Sequence, residues 1–280
     1  MRLAFAGIHK GEEPPITGVG GSGTIFVSGC NLGCAFCQNH QISKKGIGRS
    51  VSQEEFAEIC LALQKHGAEN INIVTGSHAA PALALGITAA MEKGLSIPVL
   101  WNSSGYDGME SLAILKDVVD VYLPDLKTLD QGFAEKFFNA ANYPEQAKAA
   151  ILKMMEYREL RLDETTLSGV MVRHLVIPGF LDNTRQVLAW FAEHCKDRAL
   201  LSLMTQYTPV ETDATIPGRY ISEDEYEAVL SMLDEFEIDD GFCQELIMGS
   251  DWLPDFTRAN PFSSELSIPV WHYKLPFSAS

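Results

Sequence analysis

Apolar, β-branched runs alternating with helical patterns predict an α/β fold: a partial (β/α)6 barrel of TIM type with a Pro- and aromatic-rich C-terminal extension. Three observations carry this reading. Six strand candidates, at residues 23–28, 71–74, 97–101, 118–123, 170–177 and 200–204, are separated by stretches of helix length. Helix-start signals fall between them, with capping boxes opening at Ser52 and Ser222 and with Pro81 and Pro144 placed as first-turn residues. A closed barrel of this type has eight units, so six leave it open. The chain's 280 residues, 46% of them apolar, can bury such a core.

The first strand candidate runs directly into a loop carrying three cysteines. The glycine-rich run from Gly18 to Gly23 precedes a strand instead of opening a helix, which excludes a dinucleotide-binding reading. The helix after Ser52 sets Phe56, Ile59, Cys60 and Leu63 on one face and ends near Gly67, so Cys60 belongs to the core. The last helix runs from Ser222 to about Phe236. The organisation expected is a lead-in at 1–22, a barrel domain at 23–238 and a tail at 239–280. In the tail, Pro254, Pro261, Pro269 and Pro276 oppose regular helix, while Trp252, Phe262, Trp271, Tyr273 and Phe277 oppose disorder. A segment packed across the barrel follows, with Trp271 or Tyr273 approaching the active-site cavity.

Charge excludes some partners. Twenty-one basic against 37 acidic residues give a formal charge of −16, which opposes a phosphate backbone, so nucleic acid is not a partner. No run approaches the roughly eighteen apolar residues of a membrane span, so no membrane partner is expected. The apolar N-terminal run meets His9-Lys10 and Glu12-Glu13 too soon for a secretory signal. The six cysteines form no disulfide framework, which points to a reducing cytoplasm. Lys44, Lys45 and Arg49 form a local basic group, either a solvated loop or a docking patch for an acidic electron donor.

The run Gly29-Cys30-Asn31-Leu32-Gly33-Cys34-Ala35-Phe36-Cys37-Gln38-Asn39 places three thiolates within eight residues. A cubane iron–sulfur cluster takes four ligands; three protein thiolates leave one iron open to a substrate or cofactor. His40 allows a Cys₃His zinc reading, although structural zinc sites usually pair a CxxC with a distant second pair. Three free thiols so close together without a metal would be unusual.

This spacing resembles that of the radical S-adenosylmethionine (SAM) superfamily, and Phe36 fits the aromatic preference before the third Cys. The phrases Phe26-Val27-Ser28-Gly29-Cys30, Cys37-Gln38-Asn39 and Asp125-Leu126-Lys127 look like the pyruvate formate-lyase activating enzyme branch, which activates glycyl radical enzymes. The resemblance covers roughly residues 20–235. It implies a [4Fe-4S] cluster on Cys30, Cys34 and Cys37, with SAM chelating the open iron. SAM is reductively cleaved to methionine and a 5′-deoxyadenosyl radical, which abstracts hydrogen from a substrate. That substrate is a glycyl radical enzyme, a peptide or a small molecule; a non-catalytic electron carrier is a further alternative.

The other motifs lie at strand ends, where parallel barrels collect functional residues. Thr75-Gly76 stands where the family holds Gly-Gly-Glu against the SAM amine; only Gly76 matches, and the acid is absent. His78 close by is an ordinary loop histidine or an aid to the amine. Asn102-Ser103-Ser104-Gly105-Tyr106 resembles the activating enzymes' Asp-Thr-Asn-Gly-Phe. There the acids of strands three and four help bind a monovalent cation; here Asn102 replaces the first and Asp125 keeps the second. Lys127 would neutralise SAM or orient a substrate. Arg173 is assigned to SAM or to a buried carboxylate such as Asp125, and Gln206 to the ribose or adenine. A low-potential electron donor, flavodoxin or ferredoxin, is the implied partner.

Overall fold

Strand β1 (Arg2–His9) leads into a short helix α1 (Pro14–Thr17), and β2 (Ser22–Val27) into the cysteine loop and α2 (His40–Ser43). After β3 (Arg49–Ser50) come α3 (Gln53–Lys65), β4 (Ile71–Val74), α4 (Ala80–Glu92), β5 (Val99–Ser103), α5 (Met109–Leu115) and β6 (Val121–Pro124). Helices α6 (Gln131–Phe138) and α7 (Tyr143–Tyr157) precede β7 (Arg161–Leu162) and β8 (Leu167–Leu175). Then follow α8 (Leu181–His194), β9 (Leu200–Met204), α9 (Glu223–Glu235), β10 (Gly241–Cys243) and β11 (Ser267–His272). This computed structural model describes residues 1–163, 167–210, 216–247, 249 and 253–277.

The strands form one sheet in the order β10-β9-β8-β6-β5-β4-β2-β1-β11. From β2 to β10 every neighbour is parallel, as right-handed βα crossovers require. Strand β1 runs antiparallel to both β2 and β11. The path ends at β10 and β11 without closing, so the molecule is an open, partial barrel. No helix among the described residues is long and apolar enough to cross a membrane.

Three strands sit two or more residues from their sequence expectation, and β2 is shifted by one. The one expected at 97–101 begins at Val99, after Pro98, and runs to Ser103. The one at 118–123 begins at Val121, because the Val118 and Val119 N–H groups both close on the Leu115 carbonyl after α5. The one at 170–177 starts earlier, at Leu167, where β7 folds back on it, and stops before Pro178-Gly179. Strand β1 occupies what the sequence suggests is only a lead-in segment. All of its residues after Arg2 are buried, so it lacks the polar alternation of a surface strand. It also needs Gly7, since a Cβ there would lie 2.6 Å from the Ile268 carbonyl of β11. Before β2, the Val19 and Gly20 N–H groups bind the Glu69 carboxylate at 3.2 and 2.7 Å, where a dinucleotide site would hold phosphate.

His174 on β8 shows how the barrel is tied to its helices. The ring is fully buried, with Nδ1 2.7 Å from the Leu126 carbonyl and Nε2 3.0 Å from the Thr184 hydroxyl of α8. The carbonyl only accepts, so Nδ1 carries the proton and Nε2 accepts from Thr184. Burial lowers the His174 pKa from 6.5 to about 4. Above pH 6.5 the ring is neutral in the folded and the unfolded chain alike, and its contribution is complete. As pH falls from about 6.5 to about 4, the unfolded chain takes up a proton that the folded chain refuses. Stability should fall by about 3 kcal/mol across that window. Anaerobic denaturant titrations at several pH values check this, and His174→Asn should lose that part of the slope.

Candidate active site

The cysteine loop leaves β2 through Ser28 and Gly29. Gly29 has φ +96, and a Cβ on it would lie 2.8 Å from His78 Nε2. That ring nitrogen is 2.9 Å from the Ser28 carbonyl, so His78 braces the entry to the loop. Loop and α6 are stitched together by Ala35 N–H to the Phe137 carbonyl (2.8 Å) and Gly33 N–H to the Phe138 carbonyl (3.4 Å). Phe36 is the apolar anchor, buried against Phe137, Phe138 and Tyr207. The result turns Cys30, Cys34 and Cys37 towards one cavity of about 310 Å³.

Strand ends supply the rest of its wall. Thr75 follows β4, Asn102 lies within β5, Ser104 follows it, and Asp125 and Lys127 follow β6; all line the cavity. So do Arg173 from β8 and Gln206 after β9. Gly76 does not: a Cβ there would lie 2.6 Å from the Trp101 ring, which places the residue behind the wall. Thr75 instead holds φ +63, a conformation that glycine takes without strain and a β-branched residue rarely takes.

Arg173 meets buried carboxylates, as an Arg inside a strand should, but they are Glu12 and Glu13 and not Asp125. It is 6% exposed, and its Nη2 donates to Glu12 at 2.6 Å and also to Glu13. Burial works against its charge, and Glu13 with Glu12 raises the arginine pKa nonetheless. Burial likewise works against the Glu13 carboxylate, yet Arg173 and a Ser202 hydrogen bond hold its pKa low. Asp125 pairs instead with Lys127. Burial opposes the Lys127 ammonium, but Asp125, Cys34 and Tyr143 together keep its pKa raised. The Lys127 N–H also bonds the Tyr143 hydroxyl at 2.9 Å, fixing the chain at this strand end.

Several wall residues lie outside the sequence motifs. His9 and Glu12 arrive from the N-terminal segment, and Gln244, Pro254 and Phe262 from the tail. The pairing of Glu12-Glu13 with a strand 160 residues away left no local trace; an Arg inside a strand signalled only that some carboxylate must exist. The tail's expected contact is corrected as well. Trp271 is buried away from the cavity, under Arg49 at 4.8 Å and 3.3 Å from Glu55. Tyr273 is bound to β1 through the Ala4 carbonyl at 3.2 Å. Trp252 lies outside the described residues.

The donor set fits a cluster better than a single ion. His40 does not line the cavity that Cys30, Cys34 and Cys37 share, so it is not placed with them as the fourth ligand of a Cys₃His zinc site. A cubane is larger than an ion and takes each thiolate at a different iron. Burial raises the pKa of Cys30 and pushes Cys34 up to about 12. Thiolates there need a strong positive partner, which iron supplies on binding. The polar strand ends beside the thiols suit the amine, carboxylate and ribose of SAM.

The sequence pattern of the Radical SAM superfamily matches residues 24–191, more than half of the chain. A protein of Methanocaldococcus jannaschii without an assigned function is 31% identical over 242 residues, covering 83% of this chain and 67% of that one. The structure of Streptococcus suis SuiB bound to its precursor peptide SuiA aligns with a TM-score of 0.58, at 15% identity over 79% of this chain and 47% of SuiB. The FeFe-hydrogenase maturase HydG of Carboxydothermus hydrogenoformans aligns at 0.53, with 13% identity over 79% of this chain and 52% of HydG. This chain thus spans about half the length of these solved enzymes, and at such identities the likeness shows the fold. With three cysteines at one end of an open parallel barrel and the superfamily pattern running through it, the chain belongs to the radical SAM superfamily, which implies a [4Fe-4S] cluster and SAM.

Proposed function

We propose that the protein is a radical SAM oxidoreductase working in the reducing cytoplasm, with Cys30, Cys34 and Cys37 as the cluster ligands. The observation that carries this reading is the meeting of those thiols with Asp125, Lys127 and Arg173 on one cavity. The cluster and SAM, when bound, supply reductive cleavage to methionine and a 5′-deoxyadenosyl radical that abstracts hydrogen from the substrate. The protein's own part is binding, orientation and exclusion of water. Thr75, Asn102 and Ser104 present polar groups to the amino-acid part of SAM, and Gln206 to its nucleoside. Lys127 already neutralises Asp125, so this reading carries no separate monovalent cation. Arg173, with its charge balanced by Glu12 and Glu13, forms a rigid wall. Phe36 anchors the cysteine loop against Phe137, Phe138 and Tyr207. A non-catalytic electron carrier has no use for these charged strand ends.

The tail bears on the substrate. It leaves the sheet after β10, held by Gln244 N–H to the Leu203 carbonyl, and returns as β11 at the opposite edge. On the way Pro254 and Phe262 line the cavity, and Phe256 packs 5.2 Å from Phe26. These tail residues thereby stand against the cavity. The cavity must hold the cluster and SAM, and Pro254 and Phe262 also stand on its wall, which favours a small molecule or the end of a peptide as substrate. SuiB, known with a precursor peptide, supports the peptide form of this reading. An activase role towards a glycyl radical enzyme requires residues 253–262 to withdraw first.

Anaerobically reconstituted protein given dithionite and SAM should form 5′-deoxyadenosine and methionine slowly without added substrate, as read by liquid chromatography. Deuterium from a labelled true substrate should appear in the 5′-deoxyadenosine. A cluster-loaded protein that leaves SAM intact would contradict the proposal.

A further inference from the structure

Chemistry common to the superfamily rests on residues 24–191. What singles out this chain's substrate is therefore sought in the cavity residues outside that span. The polar ones among them are His9, Glu12, Gln206 and Gln244. We infer that His9 is the residue that grips the substrate, its Nε2–H donating to a neutral carbonyl oxygen such as that of an amide. This rests on the radical SAM reading and adds the chemistry by which the substrate is recognised.

His9 closes β1, in register with Ser22 of β2 on one side and Ser267 of β11 on the other, so its backbone is fixed by the sheet. The Gly11 N–H donates to Nδ1 at 3.1 Å. A backbone N–H can only donate, so Nδ1 accepts and the proton of the neutral ring sits on Nε2. Phe262 meets the ring edge to face, with centroids 4.9 Å apart, which sets its plane. Burial lowers the His9 pKa from 6.5, and although Glu12 raises it and Arg173 lowers it, the net direction is down. The ring is therefore neutral at pH 7. The residue is 8% exposed and lines the cavity, yet Nε2 meets no hydrogen-bond partner among the described residues. A donor held so far from bulk water costs stability until an acceptor meets it.

The neighbouring polar groups decide what kind of acceptor fits. Both Glu12 oxygens are engaged, one by Arg173 at 2.6 Å and the other by Asn72 Nδ2 at 3.2 Å. Gln244 Oε1 accepts from the Thr205 and Gln206 N–H groups at 3.2 and 3.4 Å, so Gln244 too has only N–H groups left to offer. The wall thus asks for an oxygen acceptor. Among the described residues its cations, Lys127 and Arg173, are already paired, with Asp125 and with Glu12 and Glu13. A carboxylate arriving beside Glu12 would find no free counter-charge and would be repelled. A neutral carbonyl accepts from Nε2 without that penalty. The adjoining wall is apolar, with Phe26 and Phe262 at 5.5 Å centroid separation and Val74 on the same cavity. The substrate part that fits is a neutral carbonyl carrying an apolar group.

The test uses two matched probes, 3-phenylpropanamide and 3-phenylpropanoate, which differ only in amide against carboxylate. Anaerobic calorimetric titration of cluster-loaded, SAM-bound wild type at neutral pH should give the amide a Kd about tenfold or more below that of the acid. His9→Phe keeps a ring against Phe262 but lacks the N–H, and should weaken amide binding by about five- to tenfold, the effect of one hydrogen bond. His9→Gln, whose side-chain N–H reaches about as far as Nε2, should recover most of that loss, which a purely structural role of His9 would not allow. Equal affinity of wild type for the two probes, no binding of the amide, or the same amide Kd in wild type and His9→Phe would overturn the inference. Wild type that binds the amide through His9 but cleaves no SAM with dithionite would instead overturn the functional reading, and the role of His9 in it, while the contact itself stood.

Discussion

Alanine at any one of Cys30, Cys34 or Cys37 should strip the protein of its cluster, taking iron and sulfide from about four each per chain to near zero. SAM cleavage should disappear with it. The expectation follows from a site with only three protein thiolates, all on one short loop, where losing one leaves a second iron unprotected. Cys60→Ala, Cys195→Ala and Cys243→Ala should keep the cluster. Cys60 and Cys195 are core side chains, and Cys243 sits on the edge strand. Iron and acid-labile sulfide assays on anaerobically reconstituted variants decide this directly.

Arg173→Met should cost about 3–5 kcal/mol of folding stability, the range for removing one partner of a buried charge network. The guanidinium is the counter-charge for two carboxylates, Glu12 and Glu13, which lie largely away from water. Without it both face each other unpaired, and one must take up a proton or the N-terminal segment must leave the barrel. Because Glu12 lines the cavity, SAM affinity should fall as well. Denaturant unfolding of wild type and variant measures the first effect. Adding Glu12→Gln and Glu13→Gln to the variant should restore much of the stability, which a pure packing defect would not allow.

How much of this was legible in the sequence depended on how local each signal was. Strands buried on both faces read as apolar runs, and β4 and β9 were found with their full extents for that reason. The site was legible where chemistry and topology coincided, since residues that follow parallel strands must sit at one rim. Gly76 broke the pattern: the turn after β4 twists at Thr75, so Thr75 faces inward and Gly76 packs on Trp101. Long-range partners left no such mark. Strand β1 meets β11 across almost the whole chain, and Glu12 meets Arg173 across 161 residues. Trp271 and Phe262 are both tail aromatics, but the register of β11 sends the first to Glu55, while the second, upstream of that strand, lies over the cavity.

The central claim is that three thiols hold a cluster with one iron left for SAM. Its most direct test is the electron paramagnetic resonance spectrum of the dithionite-reduced protein, recorded with and without SAM. The account predicts a [4Fe-4S] signal whose shape shifts when SAM is added, because SAM binds the open iron. A signal that SAM leaves untouched, or protein that purifies anaerobically with stoichiometric zinc and no iron, would contradict it.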